Sequence, residues 1–186
     1  MKKIYDKEIL DSLPEELTKA RTSYNYQKHL TPKLDSYESK EFTEMTLLEI
    51  VLWKVNRYPE IDNNIINDIN DLRRSYTKEK AIIVLRILLR KKGFDLPMAS
   101  TVLRFACPNE LQIIDQRVYR FIYPDKNKLT LPFNKEEKID LYFNYIDKLK
   151  EICKLYEIEF NEADRLLYQL DKIHNKDKPI HLLEKE

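Results

Sequence analysis

The chain has 186 residues, 42% hydrophobic and 35% charged, and its 33 Lys/Arg against 32 Asp/Glu leave a net charge of +1. That length buries a proper core as one domain or as two small lobes. No apolar run reaches membrane-spanning length, and residues 1–10 lack a hydrophobic signal region, so a cytoplasmic protein without a membrane partner is expected. His29, His174 and His181 show no metal-ligand spacing, and no catalytic metal is expected. Cys107 and Cys153 read as buried thiols in a reducing compartment.

Strand patterns are nearly absent, which makes the fold class all-α. Helical periodicity predicts helices over 5–21, 43–55, 63–74, 77–91, 97–105, 115–123, 135–156 and 161–175, with Pro32, Pro59, Pro108, Pro124 and Pro132 marking loops. No internal repeat or low-complexity tract interrupts this series. In the helix running from Glu44 to Arg57, Leu47, Leu48, Val51, Leu52 and Val55 make the expected buried stripe. Its end carries the only tryptophan, with Trp53, Lys54 and Arg57 close together. Trp53 has two readings: a packing residue beside a solvated helix end, or part of a base pocket with Lys54 and Arg57.

The next helix pair is basic. From Arg73 to Lys92 there are eight Lys/Arg against one acid, Glu79. Ala81, Val84, Leu85, Leu88 and Leu89 form the apolar face of the first helix. The only glycine in the chain, Gly93, follows Lys91 and Lys92 at the position of a helix stop. A single glycine belongs where positive φ or close backbone approach is required. Asp95 and Pro97 are start signals for the second helix, whose buried face is expected from Met98, Val102 and Phe105. Amides in such a turn are able to hold a phosphate oxygen, although a solvated basic helix beside an ordinary αα turn has the same pattern.

Leu111 to Ile114 reads as a short buried segment that delivers Asp115 to a helix N-terminus. Asp115 is then an N-cap, a carboxylate projecting into a cleft with Arg117 and Arg120 on phosphates, or both. Tyr24, Tyr26 and Tyr119 suit either base stacking or half-buried helix surfaces. Residues 135–165 carry six bases against nine acids, so this face is expected to point away from DNA.

The order of hairpin, helix, connector, apolar pair, Asp and helix resembles the helix-hairpin-helix DNA glycosylase superfamily (HhH-GPD), which includes endonuclease III and the adenine glycosylases. The family hairpin, Leu-Pro-Gly-Val-Gly-x-x-Thr-Ala, is matched over its last eight positions by Lys92-Gly93-Phe94-Asp95-Leu96-Pro97-Met98-Ala99. Its second landmark, Val-Asp-Thr-His-Val-x-Arg, is matched by Ile114-Asp115-Gln116-Arg117-Val118-Tyr119-Arg120. Glu162 to Leu170 is similar to the closing helix of small members, which also carry a patch like Trp53-Lys54-x-x-Arg57. About half the chain is covered.

The resemblance implies one all-helical domain over 1–186, with two small lobes around a cleft. Its parts are the hairpin at 79–105, the catalytic aspartate segment at 111–123 and the closing helix at 161–175. It implies double-stranded DNA as partner, Asp115 as catalytic carboxylate, and Lys92, Gly93, Phe94, Asp95, Arg117 and Arg120 on the DNA. A monovalent cation held by hairpin carbonyls is typical of the family. Three departures refine this. Pro97 replaces the Schiff-base lysine of bifunctional members, which leaves a monofunctional enzyme using water. Asp95 replaces the second hairpin glycine, and a carboxylate there repels phosphate. Two cysteines cannot build the iron–sulfur site of some relatives. The alternative is a non-catalytic DNA-binding protein that keeps the fold.

Overall fold

A computed structural model describes residues 27, 29–39, 41–55, 59, 61–126, 128–177 and 180. The helix expected over 5–21, together with Tyr24, Tyr26, Arg57 and His181, lies outside the described residues. Among those described there are eight α-helices and no strand: α1 (Thr31–Asp35), α2 (Glu44–Lys54), α3 (Asn63–Arg74), α4 (Lys78–Leu88), α5 (Leu96–Ala106), α6 (Gln116–Ile122), α7 (Lys135–Tyr156) and α8 (Ala163–His174), with a 3₁₀ turn at Phe160–Glu162 before α8. None is long and apolar enough to cross a membrane. The chain divides into two compact units, Met1–Tyr58 and Pro59–Glu186.

In the first unit α1 and α2 are joined through polar side chains. The Trp53 indole Nε1 donates to Thr31 Oγ1 at 2.8 Å, and Lys33 pairs with Glu49. Thr43 caps α2 by accepting the Thr46 amide. Thr46 and Glu49 are therefore the buried residues of α2, while Leu47, Leu48, Val51 and Val55 are exposed and Leu52 is half-buried. This reverses the buried stripe expected from sequence. Apolar residues lie on nearly every side of α2, so periodicity singles out no face, and the polar contacts with α1 choose it.

The second unit has an ordinary apolar core. Leu72, Leu85, Leu88, Leu96, Leu103, Leu111, Ile114, Ile146 and Leu149 are fully buried, as are Tyr142 and Tyr145. Five of its six helices start on side-chain caps, at Asp62, Thr77, Asp95, Asp115 and Asn134, each accepting a backbone N–H of the first turn, and α8 has no such cap. In α5 the buried face is Leu96, Ala99, Ser100, Leu103 and Ala106, whereas Met98 and Phe105 are exposed. Of the three residues expected to face inward, Met98 and Phe105 thus point out, and Val102 packs partly against the core. The small Ala99 and Ser100 occupy the contact and bring α5 close to its neighbours.

The α4–α5 turn depends on Gly93. Helix α4 ends at Leu88, three residues short of the predicted Lys91. The chain then tightens into i→i+3 bonds, Arg90 N to Ile87 O and Lys91 N to Leu88 O. Gly93 has φ +89°, and a Cβ placed on it would lie 2.8 Å from Pro59 Cα. Both reasons for a unique glycine therefore apply at once. Gly93→Ala is expected to destabilise the unit by at least about 1–2 kcal/mol from the positive φ alone. A shift in the urea midpoint measures this, and an unchanged midpoint would refute the packing described here.

Candidate functional site around Asp115

Residues 111–114 reach Asp115 with almost no side-chain freedom. Leu111, Gln112 and Ile114 are buried. Backbone groups of the segment are held from two helices. Tyr142 Oη donates to Gln112 O at 3.0 Å and Tyr145 Oη to Ile113 O at 2.7 Å, both from α7. The Ile114 amide donates to Ser100 Oγ of α5 at 3.2 Å. Burial pushes both phenols well above the ordinary tyrosine value, so they remain donors.

Asp115 is half-buried and caps α6. Its Oδ1 accepts the Arg117 amide at 2.7 Å, and among the described residues nothing hydrogen-bonds Oδ2. The residue also lines a cavity of about 280 Å³ with Ile113, Val118, Asp164, Arg165 and Tyr168. The two readings of Asp115 therefore coexist, one oxygen on the cap and the other uncommitted beside the cavity. Three of the lining residues, Asp164, Arg165 and Tyr168, come from α8. Sequence reasoning noted 162–170 only as a closing helix. The adjacent acid and base at Asp164 and Arg165 were visible but had no assigned role.

Arg117 and Arg120, expected on phosphates, both reach a buried acid, Asp171. Arg120 is only 6% exposed, and its Nε and Nη2 donate to Asp171 at 2.6 and 2.7 Å, with Arg117 Nη1 adding a bond at 3.1 Å. Asp171 is completely buried and also accepts from Asn175 Nδ2. Burial raises the Asp171 carboxyl, but the bonds from Arg120, Asn175 and Arg117 outweigh it and hold the group below its ordinary value. Arg117 also lies 5.6 Å from the Tyr168 ring centre. Tyr119 is buried too, its ring 4.6 Å from that of Tyr123 and away from any stacking role.

The basic run is largely neutralised. Arg74 and Lys80 pair with Asp71, Lys78 with Asp147, Arg86 with Glu136 and Lys91 with Asp62. Arg73 donates to Phe105 O. Glu136 and Asp147 come from α7, so acids of that helix lie against the basic helix α4. Arg90 and Lys92 are exposed and have no ion-pair partner among the described residues.

At the hairpin, Asp95 has φ −118° and needs no glycine-like conformation. Burial raises its carboxyl, yet the Lys138 ammonium at 2.5 Å and the Leu96 amide hold it below the ordinary value. Phe94 packs against the core, and its amide is used on Lys91 O. The amides of Gly93 and Asp95 bond to nothing among the described residues. Trp53 and Lys54 belong to the first unit, where the indole N–H is committed to Thr31. Cys107 and Cys153 are buried, unlinked thiols, each raised by burial.

Comparison with protein-family models, curated proteins and solved structures finds no match to this chain.

Asp171→Asn is expected to cost about 3–5 kcal/mol, because two arginines would lose a buried counter-charge. The native carboxyl is depressed, so its contribution is present above the unfolded value of about 3.9 and fades as pH falls through the lower folded value. Urea unfolding of wild type and variant should therefore converge below about pH 4. A gap independent of pH would contradict this assignment.

Proposed function

We propose that the second unit is a monofunctional DNA N-glycosylase of the helix-hairpin-helix type, with Asp115 as its catalytic carboxylate. The supporting observation is the position of Asp115: one oxygen anchored by the α6 amide, the other uncommitted beside a cavity with Ile113, Val118 and Tyr168 in its walls. A carboxylate held in this way presents fixed negative charge where positive charge develops on the sugar as the glycosidic bond breaks. It is equally placed to orient the attacking water. The base must first leave the stack, which favours damaged or mispaired positions. Pro97 has no amine, so no Schiff base forms there. Double-stranded DNA is held by Arg90, Lys92 and the uncommitted amides of Gly93 and Asp95. Arg117 and Arg120 maintain the fold.

The second reading, a DNA-binding protein without chemistry, is favoured by the cap itself, since N-capping alone accounts for an aspartate at this position. One experiment separates them. Wild type and Asp115→Asn are incubated with duplexes carrying a panel of damaged or modified bases, and released base and alkali-labile sites are measured. Asparagine caps a helix as well as aspartate, so the variant is expected to unfold at the wild-type temperature while base release falls by roughly 10²–10³-fold. Salt-sensitive duplex binding without release from any substrate supports the non-catalytic protein. Neither binding nor release rejects both.

A further inference from the structure

A cavity of about 630 Å³ lies among α6, α7 and α8, and it shares no lining residue with the one beside Asp115. Its walls are largely aliphatic: Ile122 from α6, Ile152 and Leu155 from α7, Ile158 from the link to α8, and Leu167 and Leu170 from α8. Phe121 and Tyr156 add two rings, and Lys148 is the one charged side chain of the lining among the described residues. Leu155 and Tyr156 are left 71% and 67% exposed. Water against such walls finds few hydrogen-bond partners, so hydrocarbon displaces it favourably.

We infer that this cavity binds a single-chain aliphatic monocarboxylate, with its tail among the isoleucines and leucines and its carboxylate on Lys148 Nζ. The site is separate from the nucleic-acid reading above and does not rest on it. At about 630 Å³ the cavity lies within the roughly 300–1,000 Å³ typical of small-molecule sites, and the space between packed helices is a common place for one. An apolar lining with a single polar anchor is also what such sites use, the walls supplying affinity and the anchor orientation.

Charge selects the head group. Lys148 pairs with Glu151 at 3.0 Å, but the two side chains are 44% and 69% exposed, and a pair of this kind contributes little. A ligand carboxylate therefore takes the place of Glu151 on the ammonium at small cost. A cationic head would meet Lys148 itself. A dianion such as a phosphate monoester would meet one ammonium with the Glu151 carboxylate beside it, so a single negative charge fits best. Shape selects the body. Walls drawn from three helices surround a ligand-sized space, whereas a partner helix needs a groove that runs open along its length.

The test needs no enzymatic readout. Amide NMR spectra of the full chain are titrated with octanoate, decanoate and octan-1-ol, each below its micellar or solubility limit. Shifts are expected at 121–122, 148–158 and 167–170. Decanoate should bind roughly fifteenfold tighter than octanoate, since each buried methylene is worth about fourfold. That comparison requires no variant. Lys148→Gln, at an exposed position, should weaken octanoate about threefold to fivefold and leave octan-1-ol unchanged. Equal affinity for octanoate and decanoate, a Lys148→Gln loss that falls on the alcohol as well, shifts confined to another surface, or no shifts at millimolar ligand would overturn the site. Shifts at these residues that follow protein concentration alone, without a response to ligand, would assign the face to a second copy of the chain and overturn it too.

Discussion

Asp171 is a charge with no access to solvent, and the arrangement of the second unit around Asp115 follows from compensating it. A buried carboxylate is tolerated only where donors surround it. Arg117 and Arg120 reach it from α6, and Asn175 from just beyond α8. That triad ties α6 to α8. It also accounts for why the residue at the start of α6, Asp115, shares a cavity with residues from the start of α8. The arginines that the motif suggested for DNA thus position the site from behind.

Charge compensation recurs on the surface. The basic run over 73–92 looks like an electrostatic footprint when its residues are counted along the chain. In three dimensions acids from α3, α7 and the segment before α3 lie against five of the eight. Exposed pairs of this kind contribute little to stability, but they cancel the field that would draw a polyanion. What remains is local: Arg73, whose partner is a neutral carbonyl, with Arg90, Lys92 and two unused amides in the turn. Asp95 is neutralised in the same way by Lys138, which removes the phosphate repulsion its position suggests.

Much of the second unit was legible because its signals are local. The bounds of α3 and α7 agree with the periodicity of the chain, and the caps at Asp95 and Asp115 fall on residues whose short side chains reach the first-turn amides. Gly93 was singled out by its rarity, although its second constraint, the approach of Pro59, comes from more than thirty residues upstream. The misreadings were of faces. On α5 the largest apolar residues suggested Met98 and Phe105, whereas close packing selected Ala99 and Ser100. On α2 apolar residues lie nearly all round, and polar contacts with α1 made the choice.

By itself, then, the sequence determined the helical class, most helix limits, the conformation of the hairpin and the position of Asp115 at a helix start. Those properties arise from interactions spanning one or two turns. Only the tertiary structure decided which charges meet. Arg120 with Asp171, Arg86 with Glu136 and Asp164 with Arg104 join residues about fifty or more positions apart. No periodicity encodes such pairs, because the desolvation and Coulomb terms that select them exist only once the helices have packed.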